Sequence, residues 1–153
     1  MTQFIVTVTG MRDWPNKQQV WDVLDELLEA HYRRHGFNPL LWCEALRDGF
    51  TVRHGKSGNV DIAANDWGID RKVTIERFQA DWGLPGGGTD YSAGPRRNRV
   101  MAAAQPPADL GLAFWDGTMR KKAGQNREYS GTLDCMKALL AQGVPLRVEP
   151  LRK

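Results

Sequence analysis

Apolar and β-branched residues form short, nearly continuous runs in this chain, and amphipathic segments separate the runs. Residues 3–9 predict a first strand, and Phe50–His54, Val73–Phe78, Leu110–Phe114 and Val144–Val148 predict four more. Strands that are covered on both faces of a parallel sheet have this almost unbroken apolar character. The pattern therefore favours a sheet buried inside the molecule.

Between the strands, apolar residues recur at helical spacing. Asn16 is expected to cap the first helix, with Gln19 as its capping-box partner, and this helix is predicted to run to about Arg34. The helix before the fourth strand is expected to open at Pro95, and the last helix to end at Gly143. The residues predicted to face inward are Val20, Leu24, Leu27 and Leu28, then Val60, Ala63, Ala64 and Trp67, and finally Leu133, Met136 and Leu140.

The alternation of strands and helices predicts an α/β fold with a mainly parallel, five-stranded sheet of order 3-2-1-4-5 and helices on both faces. Such sheets bind ligands at the carboxyl ends of the strands, where the strand order reverses. The glycine-rich and charged segments mostly follow strands, so they should meet at this edge. The length of 153 residues favours one domain over residues 1–153.

Residues 36–49 allow two interpretations. Pro39–Leu46 is either a short additional helix or a hydrophobic flap. Trp42, together with Leu40, Leu41 and Leu46, either folds back on the core or forms a surface for self-association, most simply as a homodimer.

Composition sets mild limits on function. A hydrophobic fraction of 41% and a charged fraction of 25% are typical of soluble globular proteins, and a net charge of +3 tolerates nucleotides or nucleic acid as partners without requiring them. No apolar run approaches a membrane span, and no signal peptide is recognisable, so we expect a cytoplasmic protein. Cys43 and Cys135 are isolated, and three histidines lack the spacing of a metal site, so we expect no metal and no cofactor apart from a nucleotide-type ligand.

The segment Gly94–Met101 (GPRRNRVM) is a candidate anion site. Arg97 and Met101 lie four residues apart on one helical face, with Asn98 beside them. Helix-start amides and a guanidinium group together attract phosphate or carboxylate. The alternative is a solvated basic helix end.

The segment His54–Asp61 (HGKSGNVD) is a second candidate. Its two glycines permit close approach to a phosphate, and a helix follows at once, although the spacing is not that of a Walker loop. Asp61 either favours the helix dipole or contacts a ribose or base. His54 is more plausible as a hydrogen-bonding loop anchor than as a catalytic base.

These segments occur in a characteristic order along nearly the whole chain. The set comprises Gly10-x-Arg12-x-Trp14, His54-Gly55-x-x-Gly58-x-x-Asp61, Asp81-Trp82, Gly94-Pro95-x-Arg97-Asn98-x-x-Met101, Ala113-Phe114 and Gly131-Thr132. In this respect the chain resembles the DUF2493 proteins, the YspA/YpsA-related branch of the SLOG (Smf/DprA–LOG) superfamily found in bacteria and phages. The resemblance implies a Rossmann-like three-layer sandwich whose strand-end pocket recognises a nucleotide or a nucleotide-derived ligand of the nucleotide-sugar or ADP-ribose type.

The resemblance also suggests roles for individual residues, with Gly10 and His54 among those at the pocket. Arg12 and Arg97 would supply charge, and Trp14 or Trp82 would stack on a ring. Asp61 and Asn98 would contact polar groups of the ribose or base. Backbone amides near phosphate would come from Gly55, Gly58, Gly94, Gly131 and Thr132.

Two other functions stay open. A nucleotide hydrolase would use Asp61, Asp81 or Asp134 as acid or base. However, the Arg-Lys pair of the phosphoribohydrolase relatives is replaced by Arg97-Asn98, and their glutamate three residues after Gly-Thr by Cys135. The glycine run at 86–88 mimics their phosphate motif but follows the wrong strand, so it is expected to be a mobile loop or lid. A DprA-like protein would instead bind single-stranded nucleic acid through Arg96, Arg97, Arg99 and exposed tryptophans.

Overall fold

The computed structural model of the protein describes residues 3–34, 49–121 and 128–152. Pro39–Leu46 and the proposed association surface at Trp42 lie outside the described residues. The elements are β1 (Phe4–Gly10), α1 (Lys17–Arg34), β2 (Phe50–His54), α2 (Gly58–Arg71), β3 (Thr74–Arg77), α3 (Ala93–Ala102), β4 (Leu110–Phe114), β5 (Arg120–Lys121), β6 (Glu128–Tyr129), α4 (Gly131–Ala141) and β7 (Leu146–Glu149).

Five of the strands form one parallel sheet in the order β3-β2-β1-β4-β7. In the centre, Val6 of β1 is paired with Val52 of β2, and Val8 with Leu112 of β4. This arrangement confirms the predicted order, with β7 as the fifth strand. The short β5 and β6 form a separate antiparallel hairpin that the sequence pattern does not indicate.

The sheet separates two apolar clusters, because successive strand residues point to opposite faces. On one side, Val6 and Val8 belong to the larger cluster, together with Leu24 of α1 and Trp67 of α2. On the other side, Ile5 belongs to a smaller cluster with residues of α3 and α4. None of the helices within the described residues is long and apolar enough to cross a membrane.

Two predicted helix starts differ from the structure in detail. Asn16 does cap α1, because its Oδ1 accepts the Gln19 N–H at 2.9 Å. The Gln19 side chain does not complete a capping box; it donates to the Pro150 carbonyl at 2.7 Å and accepts the Arg152 N–H at 3.1 Å. Its amide thus ties the C-terminal segment to α1. Helix α3 begins at Ala93 rather than Pro95, so Pro95 lies inside the first turn.

The inward face of α4 is also shifted from the prediction. Leu140 was expected to face the core, but 57% of it is exposed, whereas Leu139 is fully buried. Leu139 lies over Gly111 of β4, where an added Cβ would come within 2.9 Å of its Cδ1. The missing side chain at Gly111 therefore creates the space that Leu139 fills.

This difference makes Leu139 and Leu140 a matched pair for testing the packing of α4. Leu139→Ala should lower the free energy of unfolding by about 2–5 kcal/mol, because it leaves a cavity against the sheet. Leu140→Ala should change it by no more than about 0.5 kcal/mol, as is usual for an exposed site. Denaturant unfolding of both variants measures the two values, and equal losses would contradict the assigned face.

Candidate functional site

A cleft of about 480 Å³ opens at the carboxyl ends of the strands. It lies beside β1, where the strand order reverses: β2 and β3 follow on one side of β1, and β4 and β7 on the other. This is the position expected for ligands of open α/β sheets. Of the sequence-predicted ligand residues, the cleft wall contains Gly10, Arg12, Gly55, Asp61, Trp82, Gly94, Arg97, Asn98, Gly131 and Thr132. Trp14, His54 and Gly58 are not part of the wall.

Gly58 shapes the cleft without lining it. Its φ is +85°, and a Cβ at this position would lie 2.6 Å from the Cα of Arg12. The Asn59 N–H donates to the Arg12 carbonyl at 2.8 Å. The start of α2 is thereby fixed against the loop that follows β1, which brings two of the predicted segments together.

Arg97 connects α3 to the ends of two strands. Its guanidinium NH1 donates to the carbonyl of Gly55 and, at 3.4 Å, to that of Phe78, while Nε donates to Asn98 Oδ1 at 2.9 Å. Within the described residues these bonds involve Nε and NH1, which leaves NH2 for a ligand. Arg97 is half-buried, whereas its neighbours Arg96 and Arg99 are exposed.

Asn98 has a structural role besides lining the cleft. It is 3% exposed, and its Nδ2 donates to Asp134 Oδ2 at 2.9 Å and to the Gly131 carbonyl at 3.4 Å. The side chain therefore joins α3 to the first turn of α4. Because its amide is engaged in this way, Asn98 positions Arg97 and α4. Its predicted contact with polar groups of a ribose or base stays a prediction.

The three candidate carboxylates occupy different environments. Asp61 lines the cleft, and its Oδ2 accepts the Ser57 N–H at 2.9 Å. Asp134 bonds to Asn98 and is not part of the cleft wall. Asp81 is exposed, accepts the Gly83 N–H at 3.1 Å and also lies outside the wall. The geometry thus leaves Asp61 as the candidate acid or base.

Burial raises the pKa of Asp61 to about 6, although the hydrogen bond from the Ser57 N–H and the charge of Arg97 oppose this shift. The carboxyl group therefore changes its ionisation close to neutral pH. A pKa in this range suits a group that exchanges protons with a substrate.

His54 anchors its loop, as the residue pattern suggested. It is 1% exposed, its Nδ1 accepts the Lys56 N–H at 3.0 Å, and its Nε2 lies 3.0 Å from Asn65 Oδ1. Burial lowers the pKa of His54, so the ring is neutral at pH 7. Nδ1 is then the acceptor, and Nε2 donates to Asn65.

The structure separates the two tryptophans that were candidates for stacking. Trp14 is 1% exposed and lies edge-on to Phe114, with 5.8 Å between the ring centroids, so it belongs to the core and cannot stack on a ligand. Trp82 lines the cleft, and the Arg12 guanidinium carbon lies 5.4 Å from the centroid of its ring. Only the prediction for Trp82 is compatible with this arrangement.

Sequence reasoning missed one wall of the cleft. Thr118, Arg120 and Tyr129 line it from the β5–β6 hairpin and the loop before it, and Tyr91 lines it from the segment before α3. The polar composition of residues 116–130 indicates a loop, but it does not indicate that Thr118, Arg120 and Tyr129 lie at the strand ends. Among the described residues, no group of three His, Cys, Asp or Glu side chains is close enough to hold a metal ion.

The fold is similar to that of two solved DNA processing proteins. For DprA from Streptococcus pneumoniae the TM-score is 0.62 at 13% identity, with 98% of this chain and 51% of that chain covered. For DprA from Helicobacter pylori, a protein with a unique single-stranded DNA binding mode, the TM-score is 0.55 at 17% identity, with 99% of this chain and 67% of that chain covered. The chain thus spans about half the length of the first of these proteins, and identities this low establish the fold alone.

Sequence comparison gives closer relatives. The chain is 31% identical over 147 residues to the Gene 61 protein of Mycobacterium phage D29, and 92% of each chain is covered. The family model of the YspA, cpYpsA-related SLOG family matches residues 4–84, which include the loop after β1, the start of α2 and Trp82. This chain belongs to the YspA, cpYpsA-related SLOG family.

Proposed function

We propose that the protein binds a nucleotide or a nucleotide-derived ligand in the strand-end cleft, as a sensor or processing module. The observation that carries the proposal is the meeting of three helix starts at one cleft: Ser57 before α2, Gly94 in α3 and Gly131 in α4 all line it. The first amides of a helix lack intrahelical partners and carry the positive end of its dipole. Three such ends at one place favour an anion of the size of phosphate.

The arginines of the cleft add positive charge to that of the helix starts, and they differ in how firmly they are held. Arg97 is held by carbonyl groups through NH1, while Arg12 and Arg120 are exposed residues of the cleft wall. Arg120 is already paired with Asp13 at 2.8 Å. Arg97 and Arg12 are therefore the guanidinium groups best placed to bind phosphate by charge-assisted hydrogen bonds.

Aromatic side chains supply the other half of a nucleotide site. Trp82, Tyr91 and Tyr129 line the same cleft as the arginines. Stacking on such rings is sequence-tolerant, because every base has a π-face. A cleft with anion-binding amides and ring faces fits a phosphate joined to a base better than it fits inorganic phosphate.

A hydrolytic activity is a second candidate, and the environment of Asp61 favours it. A buried carboxyl group with a pKa of about 6 is able to give or take a proton beside a bound phosphate ester or N-glycosidic bond. Incubating the protein with a panel of nucleotides and following product formation tests this activity. Asp61→Asn should then abolish turnover while binding persists.

Single-stranded nucleic acid is a third candidate, supported by the similarity of fold to DprA from Helicobacter pylori, which has a single-stranded DNA binding mode. The basic residues of α3 give this candidate little support. Arg96 is engaged by Asp90 and Ser92, which reduces its availability for a backbone phosphate, and Arg99 is exposed. The cleft therefore favours the binding of a mononucleotide over the binding of single-stranded nucleic acid along a groove.

Arg97 tests the proposed site most directly. Arg97→Ala should weaken nucleotide binding roughly ten- to a hundredfold, because a charge-assisted hydrogen bond contributes about 1.5–3 kcal/mol. Arg97→Lys should recover only part of the affinity, since lysine keeps the charge but loses the planar fork. Calorimetric titration with nucleotides and ADP-ribose, selected by their thermal stabilisation of the wild type, measures these affinities.

Arg99→Ala is the matched control, because Arg99 lies on the same helix but is exposed and outside the cleft. It should leave the affinity within about twofold. Thermal unfolding of each variant separates lost binding from lost stability, since Arg97 also bonds to the Gly55 carbonyl. Wild-type affinity in Arg97→Ala would refute the assignment.

Asp61 should make stability depend on pH in a recognisable way. Its folded pKa of about 6 lies above the value of 3.8 for an unperturbed carboxyl group, so between these values the folded chain holds a proton that the unfolded chain has lost. Stability due to this group therefore rises as pH falls from 7 towards 4. Asp61→Asn should be more stable than wild type at pH 7.5, by up to about 2–3 kcal/mol, and the difference should shrink towards pH 4. Urea unfolding across this range checks it, and a difference independent of pH would contradict the shifted pKa.

Salt dependence distinguishes the nucleotide and nucleic-acid readings. A pocket that engages one or two phosphates should show a log–log slope of affinity against salt no steeper than about −2. A groove that tracks five phosphates of a single strand should show a slope of about −3.5. Titrations with a mononucleotide and with an oligonucleotide at several salt concentrations give both slopes. Tight, steeply salt-dependent oligonucleotide binding without mononucleotide binding would favour the DprA-like function.

A further inference from the structure

In the part of the chain that the structure describes, the guanidinium groups of two arginines lie over tryptophan rings, and the two arginines differ in how they are held. The Arg71 guanidinium carbon lies 5.2 Å from the ring centroid of Trp21, and the corresponding distance from Arg12 to Trp82 is 5.4 Å. Arg71 is also fixed by Asp25, with two nitrogen–oxygen distances of 3.0 Å. Arg12 has no carboxylate within ion-pair distance in the part of the chain that the structure describes. Its guanidinium group instead lies over the ring of Trp82.

The main chain of Arg12 is nevertheless rigidly placed. Its carbonyl accepts the Asn59 N–H at 2.8 Å, and the preceding Met11 N–H donates to the Phe114 carbonyl at 3.1 Å. The Arg12 residue itself is exposed. A change of side-chain rotamer therefore requires no movement of the backbone and breaks the contact with the Trp82 ring.

The Trp82 ring is held in one position beside the start of α3. A Cβ on Gly94 would lie 2.9 Å from the Cη2 atom at the tip of the indole, so only glycine admits the ring in this position. The Trp82 carbonyl accepts the Asp90 N–H at 2.7 Å, which fixes the main chain. Trp82 and Arg12 both line the cleft.

We propose that the face of Trp82 covered by Arg12 is a nucleobase subsite, and that Arg12 leaves it for the phosphate when a nucleotide enters. This inference rests on the proposed function. A guanidinium group and a nucleobase are both planar and both stack on indole, so Arg12 occupies the place of a base. A phosphate at Arg97 and the helix starts lies in the same cleft, within the region that Arg12 lines.

The displacement of Arg12 from Trp82 favours the binding of a nucleotide and disfavours the binding of a nucleoside. A nucleotide replaces a single exposed cation–π contact with a base stack and a charge-assisted bond from Arg12 to phosphate. A nucleoside has to displace the same guanidinium but gives it no anion in return. Arg12 therefore selects for ligands that carry both a base and a phosphate.

This selection predicts opposite effects of one substitution. Arg12→Ala should bind adenosine about two- to fivefold more tightly than wild type, because the ring face is open. The same variant should bind ADP on the order of tenfold more weakly, because the bond to phosphate is lost. Arg71→Ala, which removes the other arginine–tryptophan stack, should change neither affinity.

The test is calorimetric titration of ADP, adenosine and ribose 5-phosphate into wild type, Arg12→Ala, Trp82→Ala, Trp82→Phe and Arg71→Ala. Trp82→Ala should weaken ADP roughly 5- to 100-fold and leave ribose 5-phosphate within twofold, and Trp82→Phe should restore most of the loss. An adenosine affinity no higher in Arg12→Ala than in wild type overturns the subsite, as does an equal loss of ADP and ribose 5-phosphate in Trp82→Ala. Failure of the wild type to bind ADP or any other nucleotide would instead overturn the proposed function.

Discussion

The carboxyl edge of this sheet depends on the hydrogen bonds of Arg97. Its guanidinium joins α3 to the carbonyls that follow β2 and β3, and through Asn98 it reaches Asp134 and Gly131 of α4. Connections at this edge would otherwise carry unsatisfied carbonyls and an arginine free to move. The same bonds orient the group that is best placed to bind an anion. The site and the fold at this edge are therefore held by one network.

The electrostatic character of the cleft follows from that network. Three helix starts and the arginines provide positive potential, and Asp61 is the carboxylate that lines the described cleft wall. Its buried position raises its pKa to about 6, so the cleft loses this negative charge only as the pH falls through about 6. A bound phosphate beside Asp61 would disfavour the carboxylate further. Ligand binding and the protonation of Asp61 are thus expected to be coupled.

Much of the architecture is predictable because periodicity is a local signal. The continuous apolar runs identify all five strands of the sheet, and the right-handed crossover rule restricts their order. The gathering of Arg12, Asp61, Arg97 and Thr132 at one edge follows from their positions after strands. The family resemblance adds which of those loops matter.

What the sequence did not reveal depends on tertiary contacts. Leu139 and Leu140 are chemically identical neighbours, and the empty space above Gly111 decides which one is buried. The sequence places Trp14 in a loop, and its contact with Phe114 shows that it belongs to the core. The β5–β6 hairpin has two-residue strands, which are too short for an alternating pattern to register. Each of these features is set by a partner distant in sequence.

Two of the arginines that line the cleft, Arg97 and Arg12, are held in different ways. Arg97 bonds to backbone carbonyls of the strand ends, so its position is set before any ligand arrives, and the proposed binding of phosphate would lose less entropy. Arg12 is exposed and its guanidinium group lies over the Trp82 ring, so in the proposed exchange only its side chain has to move. In the proposed site, a fixed phosphate end and an adaptable base end would allow the preferred base to change while the anion site is kept. The residues that determine the choice of base should therefore be sought around Trp82 and the β5–β6 hairpin rather than around Arg97.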